Sequence, residues 1–66
     1  MVVTADNLYK VIDFVMALGY IIQIHNDFFR RKVFKVFTED GVEVTSFREG
    51  DKVEVVGNRI KVYKSE

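Results

Sequence analysis

KVEVVGNRIKVYK, residues 52–64, is the stretch on which the fold of this chain turns. Apolar and polar residues alternate on both sides of Gly57-Asn58, and a Gly-Asn pair between two such runs reads as a two-residue hairpin turn. The turn sets the pairing. Val55 faces Ile60 and Val53 faces Val62 on the inner side, while Glu54 faces Lys61 and Lys52 faces Tyr63 outside. Cross-strand pairs of this kind contribute roughly 0.2–1 kcal/mol each. The chain therefore closes on an antiparallel hairpin with strands at 52–56 and 59–64.

Moving toward the N-terminus, "REGD" (48–51) is a tight turn and "VEVTSF" (42–47) is a strand. "EDG" (39–41) joins that strand to another at 31–38, and Gly41 suits either a two-residue turn or a three-residue loop with a bulge, of which the second keeps the faces more consistent. This register sets Val36 opposite Val44 and Lys35 opposite Thr45. Residues 33–37 are bulky and apolar on both faces, Phe34 and Val36 on one, Val33 and Phe37 on the other. A first strand at 20–25, "YIIQIH", puts Tyr20, Ile22 and Ile24 on one side and Gln23 and His25 on the other. Asn26-Asp27 begins the turn between these two strands.

Before Tyr20 the period is helical. "TADNLYKVIDFVMALG" predicts a helix over 5–18, with Thr4 as N-cap and Gly19 as the left-handed stop. Asp6, Asn7, Lys10 and Asp13 form a narrow polar stripe. The remaining arc is apolar, wider than the ~100° that a surface helix normally buries. Such a helix has more than one surface to cover.

One helix and four to five short antiparallel strands make an α+β domain over residues 1–66, either a meander or a small barrel of the SH3-like or Sm-like kind. A barrel would hide strand edges, which matters in a chain without a single proline. The element order resembles the Sm-like fold, and "VVGNRIKVY" (55–63) loosely resembles the end of that family. The Asp and Asn-Gly signatures of its RNA-contacting first half have no counterpart here. "REGDKVEVVGNRIKVYK" (48–64) is similar to the closing hairpin of AbrB-like swapped-hairpin DNA-binding domains, whose proline-containing first half is missing. The two likenesses cover nine and seventeen of the 66 residues, with residues that any hairpin uses.

Composition narrows the range of functions. A 66-residue chain buries only about 60% of its unfolded surface and relies on dense packing, staples or partners. Cysteine is absent and there is one histidine, which excludes disulfides and thiolate chemistry and argues against a zinc site. Ten basic residues balance ten acidic ones, unlike a DNA-compacting or polybasic membrane protein. Residues 1–38 carry a net +2 and residues 39–66 a net −2, a dipole suited to self-association. No apolar run approaches the ~20 residues of a membrane span, and no signal-peptide pattern opens the chain, so a cytoplasmic protein is expected. Frequent Lys, Glu and Val fit a thermophile.

Two groups of residues point outward. Phe28, Phe29, Arg30, Arg31 and Lys32, with Lys35, mix aromatic faces and cations as single-strand nucleic-acid binders do. The plainer reading sets one phenylalanine inward and the cations on a solvated face, and the zero net charge favours it. The second group is the apolar surplus. Phe14 and Val15 on the helix, with Val33, Phe37 and Phe47 on the strands, exceed what so small a core encloses, and such surplus usually marks an interface. His25 and Asp27 lack a third partner for a metal. The carboxylates fall mostly in turns or outward positions, so no cofactor, small-molecule ligand or catalytic role is implied. The sequence thus predicts a non-enzymatic assembly domain. It forms a symmetric homo-oligomer, most simply a dimer, through the helix and strand 32–38, with nucleic-acid binding as the alternative.

Overall fold

The computed structural model describes residues 1–64. It consists of α1 (Leu8–Ala17), β1 (Ile21–Asn26), β2 (Lys32–Phe37), β3 (Glu43–Phe47), β4 (Lys52–Val56) and β5 (Arg59–Tyr63). The strands are antiparallel and lie in two sheets, β1-β2-β3 and β4-β5. This is the α+β meander form of the two architectures read from the sequence. The barrel does not close: β5 runs beside β3 without a ladder, tied to it where Lys64 Nζ donates to the Ser46 carbonyl.

Thr4 caps an opening turn, and α1 begins only after it. The Thr4 Oγ1 accepts from Asn7 N–H at 3.3 Å, and the Asn7 side chain accepts from Thr4 N–H at 2.7 Å, a reciprocal cap around residues 5–7. Gly19, at φ 99°, ends the helix as its position predicts. Leu8, Val11, Ile12 and Val15 recur every three or four residues and turn one stripe into the core. There they meet Phe34, Val36 and Phe47 from the first sheet and Val53 from the second.

The β4-β5 register is the one its turn dictates, with Val53 opposite Val62 and Val55 opposite Ile60. Only Gly57 takes a positive φ there, the type II′ pattern. Glu54 lies opposite Lys61 as expected, but its ion pair runs along the strand to Lys52 at 3.0 Å.

The β2-β3 register departs from expectation. The three-residue loop is present: Thr38 N–H donates to the Val42 carbonyl at 2.9 Å, Gly41 takes φ 86°, and Phe37 sits opposite Glu43. Beyond it a bulge skips Val44, so that Val36 meets Thr45, Lys35 meets Ser46 and Phe34 meets Phe47. Without the skip Phe34 would oppose Ser46, and Val44 would point inward while Phe47 pointed out. A one-residue slip reverses every side chain, and here it buries a phenylalanine in place of a valine.

Residues 1–3 form a further pairing that the periodicity does not reveal. Val3 N–H donates to the Asp51 carbonyl at 2.8 Å, Gly50 N–H to the Val3 carbonyl at 2.8 Å, and Val53 N–H to the Met1 carbonyl at 2.7 Å. This short run occupies the outer edge of β4 and buries Val3 in the core.

Candidate binding surfaces

The β1-β2 hairpin tip is organised by Asp27. Its Oδ1 accepts from the N–H groups of Phe29 and Arg31, both at 2.8 Å, while Asp27 N–H donates to the Arg31 carbonyl at 2.9 Å. This is a three-residue loop of the same kind as residues 39–41, and Arg30 stands where Gly41 stands there, at φ 62°. Phe28 and Phe29 consequently occupy the turn itself and not a strand, and neither points inward, contrary to the plainer expectation for this pair. Phe28 is 94% exposed and Phe29 70%. Their rings meet edge to face with centroids 5.5 Å apart, and the Arg31 guanidinium lies 5.3 Å from the Phe29 centroid.

Arg48, from the β3-β4 turn, joins this tip. Its Nη1 donates to Asp27 Oδ2 at 3.2 Å, and Arg31 Nε approaches the same oxygen at 3.9 Å. Arg31, Lys32 and Arg48 then line an open recess of about 200 Å³ floored by Phe34 and Leu8, with Glu49 at its rim. Asp27 and Glu49 offset part of that positive charge. Lys35 belongs elsewhere: it lies on the outer sheet face between Gln23 and Ser46.

The second surface is that outer face together with the β1 edge. Phe34 and Val36 turn into the core, so Val33, Lys35 and Phe37 turn away from it, and Val33 and Phe37 stay half-buried outside the core cluster. Phe37 pairs with Ile21, which is 47% exposed, and Val33 pairs with His25. Ile24, on the inner face opposite Phe34, is 59% exposed. Two of the residues assigned to an interface from sequence are corrected here. Val15 and Phe47 are fully buried within the single chain, at the centre of its own core. Phe14 is 54% exposed but lines a groove of about 370 Å³ between α1 and β4, with Met1 and Val55. It therefore belongs to a different side of the molecule from Val33 and Phe37.

Asp51 is the one buried charged residue among those described. Its Oδ2 accepts from Arg48 N–H at 3.1 Å while Asp51 N–H donates to the Arg48 carbonyl at 3.1 Å, and Lys64 Nζ lies 3.5 Å away. The role is structural, locking the "REGD" turn beneath residues 1–3. A turn position alone gives no warning of this burial, since the partner segment comes from the other end of the chain. On the solvent side of β4 the Lys52–Glu54 hydrogen bond raises the Lys52 pKa above its ordinary value and, with the lysine charge, lowers that of Glu54. Among the described residues no three His, Asp or Glu side chains group as a metal-binding set, and no helix is long and apolar enough to cross a membrane.

No family model matches this chain, and no match was found among curated proteins or solved structures.

Proposed function

We propose that this chain is a small binding and assembly domain that works as a symmetric homo-oligomer, most simply a dimer, and not as an enzyme. The observation that carries the reading is the state of β1 and β2. Ile21 and Ile24 are exposed on opposite faces of one strand, with Val33 and Phe37 half-covered beside them. A domain this small has few kcal/mol to spare, and apolar surface on this scale is ordinarily covered by a partner. The surface favoured is the β1-β2 side. Phe14 stands apart from it across the core, so one two-fold contact does not use both.

The test is light scattering of the unaltered chain at micromolar concentration, with circular dichroism showing it folded. Twice the chain mass supports the reading. The mass of a single chain removes it.

A second reading, single-stranded nucleic-acid binding at the hairpin tip, is favoured by one specific observation. Two exposed rings share the hairpin tip with Arg31, which lies over the Phe29 ring, and the sequence-distant Arg48 is tied to the same tip through Asp27. Bases stack on such rings while cations hold phosphate. Titration of labelled single-stranded RNA and DNA at two salt concentrations decides it. Salt-sensitive binding lost in Phe28→Ala and Arg31→Ala supports this reading, and no binding ends it.

A further inference from the structure

The strand edges of this molecule are not equally protected. Residues 1–3 run along β4, and β5 with Lys64 lies against β3. β1 differs. It pairs with β2 on one side, and among the described residues its other edge makes no backbone hydrogen bond. Natural edge strands are normally guarded by Lys, Pro, a bulge or a covering element. β1 reads Ile-Ile-Gln-Ile-His-Asn, without Lys, Arg, Asp, Glu or Pro, and its ladder with β2 runs without a register shift. All of its residues except Ile22 are exposed.

Building on the self-association proposed above, we infer that β1 pairs antiparallel with β1 of a second copy across a two-fold axis at Gln23, joining the two three-stranded sheets into one. The face constraint selects this arrangement. Residues opposite each other in an antiparallel pair point to the same side, so a two-fold normal to the sheet passes through a residue and not between two. Centred on Gln23, it sets Ile22 opposite the partner's Ile24, twice, on the inner face where Phe34 and Val36 lie. Outside, Gln23 meets the partner's Gln23, whose side-chain amides can donate to and accept from one another. Ile21 meets the partner's His25. Centring on Ile24 would instead set Ile22 against Asn26, and centring on Ile22 would draw in Tyr20, whose hydroxyl is held by the Asn58 carbonyl at 3.0 Å.

A second copy suits this edge better than an unrelated peptide. The inner face of the strand is its own apolar complement, Ile22 against Ile24, and the symmetric pairing brings no like charges together, since β1 carries no Lys, Arg, Asp or Glu. The same register places Gly19 of one copy level with Asp27 of the other. That sets the exposed Phe28–Phe29 tip beside the corner between the partner's α1 and β1.

The chain has no cysteine, so a single introduced thiol reports the axis directly. Under mild oxidation Gln23→Cys is expected to form a symmetric disulfide dimer, while Ser46→Cys, on β3, stays monomeric on a non-reducing gel. Ile24→Lys, a change at an already exposed position, is expected to weaken dimerisation at least tenfold while leaving the circular dichroism spectrum unchanged. If the unaltered chain is a dimer but Gln23→Cys fails to cross-link, or Ile24→Lys leaves the dimer as tight, the β1 pairing is wrong and the assembly reading survives. An unaltered chain that stays monomeric overturns both.

Discussion

Phe34 and Phe47 lie ring against ring, centroids 5.4 Å apart and planes 23° from parallel, both fully enclosed between α1 and the two sheets. They meet only because the β2-β3 ladder skips Val44. The stack is the centre of the core. Phe47→Ala removes one ring and leaves a cavity, a change that costs about 3–5 kcal/mol in a packed interior. Urea denaturation of the variant checks this. A loss under about 1 kcal/mol would show that Phe47 is not in the core, as it would not be in the unshifted register.

Arg30 and Gly41 occupy equivalent left-handed positions in two three-residue loops, and only one of them is glycine. A side chain in that region costs about 1–2 kcal/mol, of which the extra unfolded-state freedom of glycine returns part. Arg30→Gly is expected to stabilise the chain by about 0.5–1 kcal/mol, a rise of several degrees in thermal midpoint. An unchanged or lowered midpoint would contradict the backbone geometry of the tip.

Asp27 holds two backbone N–H groups and Arg48 together. Asp27→Ala leaves those donors without their acceptor and is expected to cost about 1–3 kcal/mol. Asp27→Asn, which keeps the side-chain oxygen, should cost less. The amide protons of Phe29 and Arg31 should exchange faster in the alanine variant, and protection equal to the unaltered chain would refute this role.

Lys52 and Glu54 point to the solvent side of β4, where solvent screening keeps their effect on stability small. The hydrogen bond from Lys52, with its charge, lowers the Glu54 pKa below its ordinary 4.5. What this group adds to stability is present above that value and is lost as pH falls through the lowered pKa. The raised Lys52 acts in reverse: its share is present below 10.5 and lost as pH rises through the raised pKa. Carboxyl chemical shifts should give Glu54 a midpoint below 4.5, restored toward that value in Lys52→Ala. A midpoint at or above 4.5 in the unaltered chain contradicts the pairing.

Local signals were legible in the sequence and long-range ones were not. Gly57-Asn58, Gly41 and Gly19 each mark a backbone position that needs positive φ, and the elements around them lie within a few residues of expectation. The bulge at Val44 was hidden, because turn chemistry pointed to one register and the preference for burying Phe47 over Val44 imposed another beyond it. The docking of Val3, the burial of Asp51 and the approach of Arg48 to Asp27 all join segments far apart in the chain. For the candidate surfaces, periodicity correctly turned Val33 and Phe37 away from Phe34 and Val36. It could not decide that Val15 faces the core, since the helix is apolar on nearly every side.

Sedimentation equilibrium of the unaltered chain across a range of micromolar concentrations tests the central claim most directly. The predicted result is a monomer–dimer equilibrium, with the average mass rising toward twice that of the chain as concentration increases. A mass fixed at that of one chain throughout would contradict it, leaving Ile21 and Ile24 as surface that no second copy covers.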